Sequence, residues 1–545
     1  MKQNHLSTIK PYTRAILKGH LCSCGVDYDK MDRPIIAIAN SWNEIVPGHV
    51  HLRQLADRVK KGVREAGGLP LEFNTIAVCD GIAQGHDGMK YSLPSRDIIA
   101  DSVETMVKAH EIFDGMVVLS SCDKIVPGML MAAARLNLPS LTVLGGVMPN
   151  YIKPKESKAA RQQFLAGKLD EKGLVETTNK YYPCAGACPF LGTANTMQGL
   201  SEALGMALPN TSWMRALSDE QLDSAEEAGR QIVQLVDSGI RPRDIMTPDA
   251  FSNAISVLLA MGGSLNACLH LPAIAREAGV DLPLDLFDQI SRRVPFIAGV
   301  TPNNNDYTTN DLQRAGGMPA LMKELSPLLK MDALTVTGRS VSENIAGAKV
   351  LDREIIHSLN LPLEREGGIA VLKGNLASQG ALIKQSAVPE ELMVFSGPAR
   401  VFNSEEEFQE AYTAGRIAEN DAVVIRYEGP KGGPGMRELH RCTEILARYK
   451  RIALITDGRF SGASAGLSIG YMSPEAAEGG ILALVRDGDV IHIDVPARSI
   501  SLDVPEDELR KRKEHLAQLT KEASRFLKLY SSSTASAAQG AVRTI

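Results

Sequence analysis

The chain has 545 residues, 44% of them hydrophobic and 23% charged, with a formal net charge of −5. That length exceeds one ordinary core, since a domain usually holds about 100–200 residues. The composition excludes a disordered, collagen-like or long coiled-coil chain, and the mild acidity gives no basic footprint for nucleic acid. The Arg510–Lys513 run lies among acidic residues and reads as a solvated helix face.

No run of about 18–20 apolar residues predicts a membrane span, and no signal peptide is read at the N-terminus. Eight cysteines are scattered over the chain, which is not the pattern of a disulfide scaffold. A reducing, cytoplasmic location is expected, with thiolates free for a metal or cluster.

In chain order, Pro34–Ala39 reads as a strand buried on both faces, followed by a helix over His51–Ala66 that Gly67-Gly68 ends. Glu72–Val78 is the next strand, Arg96–His110 a helix, Gly115–Leu119 a strand, Met129–Leu136 a helix and Leu141–Leu144 a strand. The alternation predicts an α/β fold: an N-terminal, mostly parallel sheet with helices on both faces. Residues 150–345 read mainly as helices. After about residue 365, Gly368–Leu372, Ala422–Arg426, Ile452–Ile455, Val490–Val495 and Ser499–Val504 are short β-branched runs between turns, predicting a C-terminal β-barrel-like domain. Domains are expected over 1–365 and 366–545. Glu506–Leu529 reads as one amphipathic helix, and the Ser/Ala-rich tail from Ser531 as mobile or docked on a partner subunit.

Ligands of parallel sheets bind beyond the carboxyl ends of strands. Polar clusters fall there: Asn40–Glu44, Cys79-Asp80-Gly81 and Ser121–Lys124. Cys122-Asp123-Lys124 pairs a soft thiolate, suited to iron or zinc, with a hard carboxylate suited to Mg²⁺. Cys184 and Cys188 form a C-x3-C pair unlike the C-x2-C of zinc ribbons. Asp80 and Glu438 are candidate hard-metal ligands, with Glu428 a rival. The Gly/Pro run 429–435 demands special backbone angles or a close ligand approach, and Ser461 lies in a glycine turn after a strand, where a serine can be exposed and activated. His49, His51 and His86 read as site-lining residues. Taken singly, each of these residues is read as readily as an ordinary structural one. Cys22 and Cys24 have no evident partners.

Together the motifs resemble the dihydroxy-acid dehydratase and phosphogluconate dehydratase family. The runs that carry the resemblance are NSWNEIVPGHVHL over Asn40–Leu52, DGIAQGHDGMKYSLPSR over Asp80–Arg96 and CDKIVPGMLM over Cys122–Met131. Glu366–Ala377, Tyr427–Glu438 and Thr456–Gly462 look like the C-terminal signatures, so the match runs in order along nearly the whole chain. The resemblance implies an iron–sulfur cluster beside a Mg²⁺ ion. Cys122 and Cys188 match cluster cysteines; Asp80, Asp123 and Glu438 match Mg²⁺ ligands; Lys124 matches a lysine that members carbamylate; Ser461 matches the catalytic serine.

It further implies a hydro-lyase that removes water from 2,3-dihydroxy-isovalerate and 2,3-dihydroxy-3-methylvalerate in valine and isoleucine synthesis. The alternatives are an aldonate (sugar-acid) dehydratase and a non-catalytic metal-binding paralogue. The partner is a small dihydroxy acid, not a nucleic acid or a membrane, and a homodimer or dimer of dimers is expected. Three departures stand out. Gly48 occupies a position where some members have a cluster cysteine, and Pro47-Gly48-His49 favours a 4Fe–4S over a 2Fe–2S cluster, with Cys79, Cys184 or His49 left as third ligand. The stretch around Cys188 is bulkier than usual. Glu444 replaces a hydroxyl residue near the expected substrate region.

Overall fold

The computed structural model describes residues 4–460, 462, 466–517 and 519–544. Its N-terminal part is built on four parallel strands, β1 (Ile35–Asn40), β2 (Leu69–Asn74), β3 (Gly115–Ser120) and β4 (Ser140–Leu144), in the order β2-β1-β3-β4. The register sets Ile38 opposite Glu72 and Val117, and Val118 opposite Thr142. Every residue of β1, β3 and β4 is buried, so helices cover both faces, as the unbroken apolar runs of the inner strands require. Helix Leu52–Glu65 packs with helix Asp219–Ser238, and helix Ser92–His110 with helix Ile125–Leu136.

The second core is a closed barrel of eight strands: β5 (Ala370–Gly374), β6 (Ala377–Ile383), β7 (Val394–Phe402), β8 (Ala422–Ile425), β9 (Ala453–Thr456), β10 (Leu467–Ser473), β11 (Val490–Asp494) and β12 (Ser499–Leu502). The order around the barrel is β10-β6-β5-β12-β11-β7-β8-β9. The run β7-β8-β9-β10 is parallel, and β10-β6-β5 is antiparallel. Alternate residues fill the inside: β7 buries Phe395, Gly397 and Ala399, and Val401 packs against the same core, whereas Phe402 is buried in the other core. The α/β expectation is met in both halves, while β6, β7 and β10 were not read from the sequence. No described helix is long and apolar enough to cross a membrane.

Two elements differ from expectation. The β2 strand starts at Leu69 and stops at Asn74, so Thr75–Cys79 form the loop that leads to Asp80. The continuous helix over 506–529 is broken: helix Glu506–Glu514 ends at His515, the described residues 516–517 and 519–524 are neither helix nor strand, and helix Arg525–Ser533 begins after Ser524 caps Leu527. The C-terminal residues fold back on their own chain. Ala541 and Val542 are buried, the Ala541 carbonyl accepts from Arg96 Nη2 and Tyr530 Oη at 2.8 Å each, and the Arg543 amide donates to Asp97 at 3.1 Å.

Candidate active site

The ends of β1, β2 and β3 and two barrel loops meet at one place. Asp80 opens the short helix Asp80–Ala83 after β2, and Cys122-Asp123-Lys124 forms the turn between β3 and helix Ile125–Leu136. Glu438 arrives from the barrel loop after β8, and the Gly/Pro run before it explains how. Gly435 has φ +93°, and a Cβ there would collide with the Lys90 carbonyl, so only glycine lets this loop lie against the first half of the molecule. One carboxylate oxygen each from Asp80, Asp123 and Glu438 lies within 4.8 Å of the others.

Lys124 sits in the middle, fully buried. Its Nζ lies 2.7 Å from Asp80 Oδ2, 3.4 Å from Glu438 Oε1 and 3.7 Å from Asp123 Oδ2. The carboxylates are held from behind. Ser92 Oγ donates to Asp80 Oδ1 at 2.7 Å; Glu438 accepts from Asn266 Nδ2 at 2.9 Å and pairs with the buried Arg459. Burial works against the Asp80 charge, but Lys124 and Arg459 outweigh it and hold this carboxyl below its usual range. Asp123 is pushed up to about 7 by burial and by the Asp80 charge. Three acids face two cations, Lys124 and Arg459, so with all three acids ionised one negative charge is left over, and their hard oxygens are a donor set that suits a small divalent cation.

The thiols lie beside this group. All eight cysteines are free. Burial raises the Cys122 thiol well above its usual range, and Cys79, Asp123 and Cys188 add to the effect. Cys188 is likewise raised, first by burial and then by Asp123 and Cys79. Cys79, Cys122 and Cys188 therefore share one local field, whereas Cys184 is exposed and senses only Arg215. His49 is buried and both its ring nitrogens are used. Nε2 accepts from the Cys122 amide at 3.1 Å, and Nδ1 meets Ser41 O at 2.9 Å and Ser41 Oγ at 3.0 Å. Burial drives its basicity down to about 3, so the ring is neutral and anchors the Cys122 backbone. A Cβ on Gly48 would collide with Cys122 Sγ, which places residue 48 directly against that thiol.

The remaining expectations resolve as follows. Ser461 lies outside the described residues. Its described neighbour Gly462 abuts Ser264 and the start of helix Thr193–Ala203. Glu428 does not join the three carboxylates around Lys124: it is locked by Arg437 at 3.0 Å and Lys521 at 2.8 Å. His51 bonds the Gly145 carbonyl at 2.7 Å, and exposed His86 closes its own turn through Ile82 and Gly88. Glu444 is half-exposed and faces His440 at 3.2 Å and Arg161 at 3.7 Å. Cys22 and Cys24 are exposed. Asn266, Arg459 and Ser92 escaped sequence reasoning; Arg459 and Ser92 lie inside runs already singled out, but Asn266 carried no signal beyond the glycine turn before it.

Comparison with known proteins agrees with this geometry. The chain belongs to the dihydroxy-acid/6-phosphogluconate dehydratase family: the N-terminal family model matches residues 33–344 and the C-terminal model residues 354–541. It is a hydro-lyase. Relatives named dihydroxy-acid dehydratase include that of Halothermothrix orenii, 50% identical over 97% of this chain and 98% of the relative. That of Caldanaerobacter subterraneus is 51% identical over 92% of each, and that of Methanothermobacter thermautotrophicus is 48% identical over 97% and 98%.

Proposed function

We propose that this chain is a dihydroxy-acid dehydratase acting on 2,3-dihydroxy-isovalerate and 2,3-dihydroxy-3-methylvalerate in branched-chain amino acid synthesis. Asp80, Asp123, Glu438 and a carbamylated Lys124 hold Mg²⁺, and Cys122 and Cys188 hold an iron–sulfur cluster of the 4Fe–4S type. The observation that carries this reading is the convergence of three carboxylates on Lys124 beside Cys122, from segments 314 residues apart. The names and near-complete coverage of the relatives support the substrate. Cys79 is our choice for third thiolate. Gly48 has no side chain, His49 has no free nitrogen, and Cys184 lies outside the shared field of the other thiols.

When bound, the two groups supply Lewis acidity to the substrate carboxylate and hydroxyls. The chain does the rest. Ser92, Asn266 and Arg459 fix the directions of the acidic side chains, so their oxygens are oriented before substrate arrives. His49 fixes the Cys122 backbone. Ser461 takes the proton from C2. The C3 hydroxyl leaves, and the resulting enol tautomerises to the 2-oxo acid. One water is released and no electron is transferred.

The test is 2-oxo acid formation by anaerobically purified protein with Mg²⁺, given 2,3-dihydroxy-isovalerate, a pentonate and gluconate. The branched acid should be preferred by at least about tenfold in kcat/KM. Preference for an aldonate would overturn the substrate assignment, and a protein without cluster absorbance or turnover would overturn the whole reading.

A further inference from the structure

The Gly/Pro run 429–435 closes on a side chain of its own chain. That side chain is Glu475, which follows β10 and is only 2% exposed. A Cβ on Gly429 would lie 2.5 Å from Glu475 Oε2, and one on Gly432 would lie 3.3 Å from the same oxygen. The consecutive amides of Lys431 and Gly432 both donate to this carboxyl group, Lys431 at 3.0 Å to Oε1 and Gly432 at 2.8 Å to Oε2. Successive amides aimed at one point make a concave cradle for an oxygen acceptor. Among the described residues Glu475 has no cationic partner within ion-pair distance. Burial and the nearby Asp457 charge push it up to about 8. An acid held there against burial and against a second acid is stabilised by the amides it accepts.

The same loop is held on either side of Glu475. Before it, the buried Asp457 accepts from the Tyr427 amide at 3.1 Å and the Glu428 amide at 2.9 Å. After it, Arg459 donates to the Met436 carbonyl at 2.5 Å and pairs with Glu438. Tyr427 and Met436 are non-glycine residues in the left-handed region, at φ +61° and +46°. Such conformations persist where the surroundings impose them. Asp457 and Arg459 fix the two ends of the segment, and Glu475 holds its middle, six residues before Glu438.

We propose that Glu475 is a positioning residue of the metal centre: by filling the cradle of the glycine loop, it sets the path that carries Glu438 to Asp80, Asp123 and Lys124. It acts through the loop and touches none of those groups. The role of Glu438 rests on the Mg²⁺ reading above; the cradle rests on the Glu475 contacts.

The probe is Mn²⁺, which shares the charge and the oxygen-ligand preference of Mg²⁺. It is added under nitrogen to protein that carries its cluster and has been freed of Mg²⁺ by a chelator, and unbound Mn²⁺ is read by electron spin resonance. Glu475→Ala should weaken Mn²⁺ binding by about 10- to 100-fold, the range for groups that orient a metal ligand. Glu475→Asp, whose carboxyl group is withdrawn by one methylene, should weaken it by about tenfold. Glu475→Gln should stay within about threefold of wild type, because one oxygen at the Oε2 position reaches both amides, Lys431 at 3.2 Å and Gly432 at 2.8 Å. A merely structural role gives a different pattern, a lower Tm with Mn²⁺ affinity unchanged across the series. Cluster absorbance identifies a variant that has failed to fold; if Glu475→Ala fails, the aspartate and glutamine variants decide. Unchanged Mn²⁺ affinity in a folded Glu475→Ala or Glu475→Asp, or Glu475→Gln as weak as Glu475→Ala, would overturn the proposal. Failure of both the alanine and the aspartate variants to fold would overturn it too, by making Glu475 a residue of the fold. Glu438→Gln is the control: unchanged Mn²⁺ affinity there would sink the Mg²⁺ reading itself.

Discussion

Around Lys124, each side chain is set by its neighbours more than by its own type. An ammonium between three acids is stable only while it remains their counter-ion, and replacing that role is what a metal must do. Asp123→Asn removes one anion and one ligand, and should weaken Mg²⁺ activation about 100-fold, read from the Mg²⁺ dependence of turnover. Gly48→Ala should act on the other half of the site. Its Cβ would collide with Cys122 Sγ, so the visible absorbance of the cluster should fall while Asp80, Asp123 and Glu438 remain in place. Retention of full absorbance would argue against Cys122 as a ligand. Asp80, Asp123, Lys124 and Glu438 could be picked out because they stand in long family-like runs. Asn266 could not, because nothing local distinguishes an asparagine after a glycine turn from an ordinary surface residue.

Among the elements, inner strands of the parallel sheet were readable because burial on both faces leaves an unbroken apolar run. The barrel strands β6, β7 and β10 were not. They carry Gly, Ser, Pro or Arg, and β7 alternates exposed with buried residues through Gly397 and Pro398. Their pairing comes from barrel closure rather than local preference. The apolar spacing over 506–529 suggested one helix, yet the first helix is already complete at Glu514. Its acidic first turn and basic last turn satisfy the helix dipole, and Leu516 beyond it packs onto the barrel. Leaving the helix also lets Lys521 reach the buried Glu428 at 2.8 Å. Lys521→Ala should therefore lower stability by about 1 kcal/mol, seen in urea unfolding, because Arg437 still satisfies Glu428. A loss of turnover without a loss of stability would contradict this structural role.

Across the whole molecule, the site exists only where two cores meet, and the C-terminal residues tie the chain back under it. Deleting residues 535–545 would strip the Ala541 carbonyl from Arg96, which is fully buried, and should lower stability by about 3 kcal/mol or more in thermal unfolding. An unchanged Tm would show that the tail is dispensable. Lys384 adds a pH dependence with a definite sign. Its folded-state pKa of about 7 lies below the unfolded value of 10.5, so between those limits the unfolded chain binds more protons. The contribution of this group to stability rises with pH from about 7 to about 10.5, and the full penalty is present at and below pH 7. Lys384→Met should accordingly be more stable than wild type at pH 7 and lose that advantage towards pH 10. A Tm difference that does not change with pH would remove Lys384 from that account.

The sequence by itself determined the α/β class, the inner strands of the sheet, the family and the hard and soft ligand candidates, because these depend on local periodicity and on motifs carried within short runs. Only the tertiary structure decided which candidates meet. It joined Glu438 to Asp80 and Lys124, removed Glu428 into ion pairs with Arg437 and Lys521, turned His49 into a support for Cys122, and buried Lys384 with no carboxylate partner among the described residues. Distance through space, burial and electrostatic partners are properties of chain segments brought together from far apart, and no local pattern encodes them.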